Sequence, residues 1–196
     1  MDIRRIAALV LVLIAAPSIA LSSDDLDPIT FGGEDFKVAH RDGHNGGNAL
    51  VELVRPGEEL ESWQKLVAFH RFPDSTDSPK DAALGLASLL RQRDQAAGFK
   101  IVENPRTREV IIDFLASEPG SDQVELNVFK YAIHHSKKGL VAIQFAERFA
   151  RGAAKGEGMQ KARQTAIDEA AAFDIELADP YLRQGPPDED DLAGTD

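Results

Sequence analysis

Apolar positions along this chain recur with two periods, and their order predicts its architecture. Phe36-Lys37-Val38-Ala39-His40 alternates as a short strand does, and Ala49 to Val54 is a second strand. Arg41 to Asn48 between them is dense in turn formers, so the two pair as a hairpin that ends at Pro56-Gly57. Glu58 to Ser62 is a polar connection into Trp63, and Lys65 to Phe72 is the next strand, stopped by Pro73. Ser78-Pro79 then opens a helix, with a hydroxyl at the cap and proline in the first turn. Its stripe of Ala83, Leu86, Leu90 and Ala97 predicts a helix from Pro79 to about Ala97, with Gly98 as a left-handed stop. Lys100 to Asn104 and Glu109 to Leu115 form a hairpin around Pro105-Arg106-Thr107. Gln123 to Ile133 and Leu140 to Phe149 form a longer one across His134 to Gly139. In the first of that pair the apolar phase changes at Val128-Phe129, which calls for a bulge or for burial on both faces. After a bend at Gly152, Gly156 and Gly158, a last helix runs from Met159 to Ala172, with Met159, Ala162, Ala166, Ala170 and Phe173 on one side.

Strands joined by such short turns must be antiparallel, since parallel pairs need long crossovers. The expectation is an α+β fold: one twisted antiparallel sheet of about seven strands packed by two amphipathic helices.

The ends read differently. Arg4 and Arg5 make a positive start, Ile6 to Ala16 an apolar run, and Ser18-Ile19-Ala20 a small-x-small cleavage site. That run is too short for a hydrocarbon core of ~30 Å, so residues 1–20 are expected to be a Sec-type signal peptide. Export to the periplasm or the extracellular space follows, with membrane contact only if the signal is retained. Residues 21–33 are expected to be a mobile acidic leader, 34–178 a single α+β domain, and 179–196 a disordered acidic tail.

Charge and cysteine content narrow the function classes. The net charge of −11 is concentrated in the ends, where the tail alone has six acids against Arg183. No basic stripe is left for a phosphate backbone, which argues against nucleic-acid binding. With no cysteine, thiol nucleophiles, iron–sulfur clusters and zinc ribbons are excluded, and hydrophobic packing must hold the fold without disulfides.

The Trp63-led strand, the Phe72-Pro73 turn, the alanine- and leucine-rich helix Asp81 to Leu90, the successive hairpins and the closing helix together resemble the Mog1/PsbP-like group. The periplasmic DcrB-type proteins belong to that group. The resemblance covers most of residues 34–178 and implies a sheet sandwiched by helices. It also implies a binding or assembly-support role rather than catalysis, toward an envelope protein or a small ligand. It transfers no functional residue and calls for no cofactor.

Candidate chemistry rests on few residues. His40-x-Asp42-x-His44 places two imidazoles and a carboxylate within five residues, chemically able to bind zinc or copper. The other reading is a hairpin turn rich in polar turn formers. A metal-binding protein or hydrolase using His40, His44 and nearby carboxylates is therefore the alternative function. His134-His135 adds two donors, also at a predicted turn. Trp63 is either an exposed anchor for a partner or a core ring at the mouth of its strand, its N–H satisfied by backbone. No serine sits in a Gly-x-Ser-x-Gly context, and no P-loop lysine follows the glycines of 43–47. A non-catalytic binding protein is the primary expectation.

Overall fold

The computed structural model describes residues 26–43, 47–117, 120–135 and 138–183. The expected signal peptide, the first part of the acidic leader and the tail beyond residue 183 lie outside the described residues. So does His44.

The fold is α+β, built on one open antiparallel sheet of eight strands. They are β1 (Ile29–Phe31), β2 (Glu34–Gly43), β3 (Ala49–Val54), β4 (Lys65–Phe72), β5 (Phe99–Glu103), β6 (Val110–Ala116), β7 (Gln123–Ile133) and β8 (Leu140–Ala150). Their order is β1-β2-β3-β4-β8-β7-β6-β5, with β4 and β8 in the middle. Between β4 and β5 lies α1 (Pro79–Arg93); after β8 come α2 (Glu157–Ala172), a 3-10 turn at Ile175–Ala178 and the short helix α3 (Asp179–Arg183).

The strand count is eight, not about seven, because β1 forms inside the segment expected to be leader. Gly32 and Gly33 take φ of 60° and 76°, the backbone of a two-residue hairpin turn that brings Phe31 opposite Glu34. Ile29 and Phe31 are buried by it. Residues 179–183, expected to open the disordered tail, form a helical turn instead. Tyr181 and Leu182 are buried, the Tyr181 hydroxyl donates to the Asp27 carbonyl at 2.6 Å, and its ring lies 5.3 Å from that of Phe69. Burying these side chains, each worth roughly 1.5–3 kcal/mol, offsets part of the entropy lost in ordering the turn.

The uncertainty over β7 resolves in favour of burial on both faces. Its pairing with β8 runs without a break from Gln123–Ala150 to Ile133–Leu140, and Val124 to Ala132 is apolar on both sides apart from a few polar positions. The bulge lies instead in β2, between Val38 and His40. α1 stops at Arg93, short of the expected Ala97 and Gly98. Asp94 is extended (φ −143°, ψ 110°) and its side chain accepts the Ala96 N–H at 2.8 Å, which turns the chain away.

The two faces carry different covers. On one, α2, the 3-10 turn and α3 pack over Phe36, Val51, Val67, Phe69, Leu126, Val128, Ile143 and Phe145. On the other, α1 covers Val110, Ile112, Phe114, Phe129 and Tyr131, while Trp63 packs over Leu66, Ala68 and Ala146. These are called the α2 face and the α1 face below. Among the described residues no helix is long and apolar enough to cross a membrane.

Candidate functional site

Sheet geometry places three polar groupings worth chemical attention. The first is a cleft of about 220 Å³ on the α2 face, between α2 and the strands β1, β2, β4 and β8. Phe31, Phe36 and Phe145 line it, with the Phe31 and Phe145 rings stacked at 5.3 Å. Glu34, Lys65 and Glu147 line it from the sheet, and Lys161 and Glu169 from α2. Lys65 Nζ donates to Glu34 Oε1 at 2.7 Å. Glu34 Oε2 accepts no hydrogen bond from the described residues, and Arg55 stands 3.6 Å from it. Burial pushes the Glu147 carboxyl up, with Lys65 opposing and Glu34 adding to the rise. Three carboxylates and two ammonium groups line the cleft, and the Arg55 guanidinium beside Glu34, which also opposes the rise at Glu147, adds a third positive charge.

The second grouping crosses the α1 face as a chain of side-chain hydrogen bonds. His70 Nε2 meets Gln144 Oε1 at 3.2 Å, Gln144 Nε2 donates to Asn127 Oδ1 at 2.8 Å, and Asn127 Nδ2 donates to Glu125 Oε1 at 3.0 Å. Beyond Glu125, Arg148 lies 3.7 Å from its carboxylate and 3.7 Å from the centre of the Trp63 ring. His70 is 2% exposed, and burial pushes its pKa down to about 4, with the Gln144 bond opposing, so it is a neutral imidazole near pH 7. On the same face Glu52 pairs across the strands with His40 and Ala68. Burial first, then the Asp42 charge, raises Glu52 to about 7.

The third grouping sits where β7 ends. Strand side chains alternate between faces, but the chain turns at His135, and both imidazoles converge on one carboxylate. His134 Nε2 lies 3.0 Å from Asp179 Oδ1, and His135 Nδ1 lies 3.2 Å from Asp179 Oδ2. The two rings are 4.0 Å apart at 41°. The His134 and Asp179 side chains are each 10% exposed and that of His135 42%. Asp179 opens α3 on the α2 face, 45 residues along the chain from His134.

These positions bear directly on the sequence-derived candidates. Trp63 is 1% exposed, so the core alternative holds and no surface anchor exists there. Its Nε1–H is buried without a hydrogen-bond partner among the described residues, against the expectation of a backbone acceptor. His40 lies on the α1 face, and among the described residues it joins no group of three ligand atoms close enough for an ion. His134 and His135 do, together with Asp179. His40 and the His134–His135 pair do not share a site: β2 and β7 are four strand spacings apart, about 19 Å. Asp179 escaped the sequence reading because it was assigned to the acidic tail; the apolar Ile175, Leu177, Tyr181 and Leu182 around Pro180 were the available signal.

An antiparallel sheet with a helix on each face, a charged cleft and a histidine–aspartate cluster define a class broader than any one activity. The chain belongs to a protein family whose model matches residues 26–175, a family of unknown function. No curated protein matches the chain.

Proposed function

We propose that this is an exported, non-catalytic binding protein whose ligand is a small molecule bearing an amine, held in the cleft beneath α2. The observation that carries the proposal is the set of carboxylates Glu34, Glu147 and Glu169 set around the phenylalanines of that cleft. Bringing a cation beside Glu147 would relieve the repulsion it shares with Glu34. The cleft is smaller than the roughly 300–1,000 Å³ of sites for drug-sized ligands, so its occupant is small.

The Mog1/PsbP-like resemblance points the same way, toward binding or assembly support, and the sandwich of one antiparallel sheet between helices supports it. Export rests on the short apolar run and small-residue motif of the first twenty residues.

Calorimetric titration of the purified protein with a panel of small amines, against carboxylates of matched size, tests the ligand class. One or more amines should bind saturably at one site per chain, and Glu147→Gln should weaken that binding at least about ten-fold, as expected when a charge-assisted contact worth roughly 1.5–3 kcal/mol is lost. Binding of the carboxylates instead, or of neither class, would overturn it. N-terminal sequencing of the protein from an envelope fraction should begin at Leu21. A chain starting at Met1 in the cytoplasm would remove the export half of the proposal.

A further inference from the structure

We infer that His134, His135 and Asp179 bind one divalent transition-metal ion of the zinc or copper class, at a site separate from the amine cleft. The separation is measured along β8: Leu140 pairs with Ile133 beside the cluster, while Glu147 lines the cleft seven residues on, about 24 Å away.

Three observations carry the inference. One ligand atom from each residue can be chosen so that all three lie within 4.8 Å of one another. Two ligands held ~2.1 Å from a tetrahedral ion are themselves about 3.4 Å apart. The contacts of 3.0 and 3.2 Å go to different oxygens of Asp179, so one oxygen must turn between the two imidazoles to complete the set around an ion.

Second, two of the three donors, His134 and Asp179, are held by packed elements. The His134 N–H donates to the Gly139 carbonyl at 3.3 Å, closing the β7–β8 hairpin. Gly139 has φ of 72°, and a Cβ there would stand 2.0 Å from the Phe72 carbonyl oxygen, so that hairpin is seated hard against the end of β4. On the other side Asp179 follows the fully buried Ala178, and the Tyr181 carbonyl accepts from Arg41 Nη1 at 2.5 Å. Preorganised donors lose little entropy when an ion binds.

Third, the donor set matches one class of ion. Two nitrogens and one oxygen suit zinc, copper(II) or nickel, whereas calcium and magnesium prefer all-oxygen sets. The exposed edge of His135 gives the ion a route in and leaves a coordination position for water or a ligand.

Isothermal titration of the metal-free protein with zinc(II) or copper(II) alone should show one ion per chain. At a hundred-fold excess over Kd the ion should raise Tm by about 5–10 °C. His135→Ala is the informative variant, because that side chain is the exposed one and its loss leaves the core intact. It should weaken the ion at least about ten-fold, while the metal-free Tm stays near that of the parent. The visible spectrum of the copper(II) form should change with the loss of one nitrogen. His40→Ala should leave affinity and spectrum unchanged. Absence of binding, binding unaltered by His135→Ala, or binding abolished by His40→Ala would each overturn the assignment.

Discussion

The two faces of the sheet bury polar groups by opposite means. On the α2 face the buried groups are charged, and each has a counter-charge or a helix end. Lys130 is 3% exposed, yet its Nζ donates to the Phe173 carbonyl at 2.8 Å and lies 3.1 Å from Glu109 Oε1. It thus neutralises the negative end of α2. Asp113, 2% exposed, is paired with Arg163 of the same helix. On the α1 face no helix reaches the centre of the polar chain. Gln144 and Asn127 there are neutral, His70 is shifted downward and Glu52 upward, while the Arg148–Glu125 ion pair lies at the partly exposed end. A helix that brings its own charges lets a sheet bury ions. Where no such partner arrives, the protonation state yields instead.

The comparison breaks most readily at Lys130. Lys130→Met removes the cation but leaves the α2 carbonyls and Glu109 facing one another at a buried end. Losing one partner of a buried pair should cost about 4 kcal/mol. Urea unfolding would show it as a lower midpoint at unchanged slope. A loss below about 1 kcal/mol, the range of an exposed pair, would mean that this end of α2 is stabilised by packing alone.

On the other face the prediction concerns pH. His70 binds a proton in the unfolded chain below about 6.5 but in the folded protein only below about 4. Between those values the unfolded state holds more protons, so this group makes stability rise with pH, by about 3 kcal/mol across the window. Glu52 has the reverse sign. Its folded pKa of about 7 lies above the unfolded value of 4.5, so the folded state keeps a proton the unfolded state has lost, and stability falls as pH rises from 4.5 to 7. The windows overlap, and the two slopes offset each other in the parent protein. Glu52→Gln should uncover the rising slope and His70→Gln the falling one, both measured as urea midpoints between pH 4 and 7. Equal slopes in the two variants would show that neither group titrates as its surroundings imply.

What the chain revealed in advance follows from what periodicity reports. Strands β2 to β8 and the stripe of Ala83, Leu86 and Leu90 were legible because each is a run of alternating, continuous or helically spaced apolar residues bounded by turn formers. Phe145 and Phe173 were legible as core for the same reason. β1 was missed although Gly32-Gly33 is a hairpin signal, because the acidic residues before it suggested a leader. The cleft and the His134, His135 and Asp179 cluster were beyond such reading for a different reason. Each joins elements distant in sequence, β1 with α2 or the end of β7 with α3, and no local pattern encodes which ends of a sheet meet. His40-x-Asp42-x-His44 lies only partly within the described residues: His40 and Asp42 stand on β2 beside Glu52, and among the described residues His40 joins no group of three ligands.

The smallest expected effect separates how the two helices are fixed. α1 begins with a reciprocal cap: the Asp81 N–H donates to Ser78 Oγ at 3.1 Å, and the Ser78 N–H donates to Asp81 Oδ2 at 3.3 Å. α2 begins at Gly156 with no side-chain cap, and its anchor is the distant Lys130 at the other end. Ser78→Ala should therefore cost about 1 kcal/mol, the usual worth of a cap. Gly156→Ala removes no hydrogen-bonding side chain, and its Cβ would stand 3.3 Å from the Ala153 carbonyl oxygen, a contact that a slight shift relieves. It should cost about 0.5 kcal/mol, what remains of a cap's ~1 kcal/mol preference over alanine once the few tenths between serine and glycine are removed. Parallel urea titrations of both variants would decide the point. Equal losses would mean that α1, like α2, is placed by tertiary contacts and owes little to its own first turn.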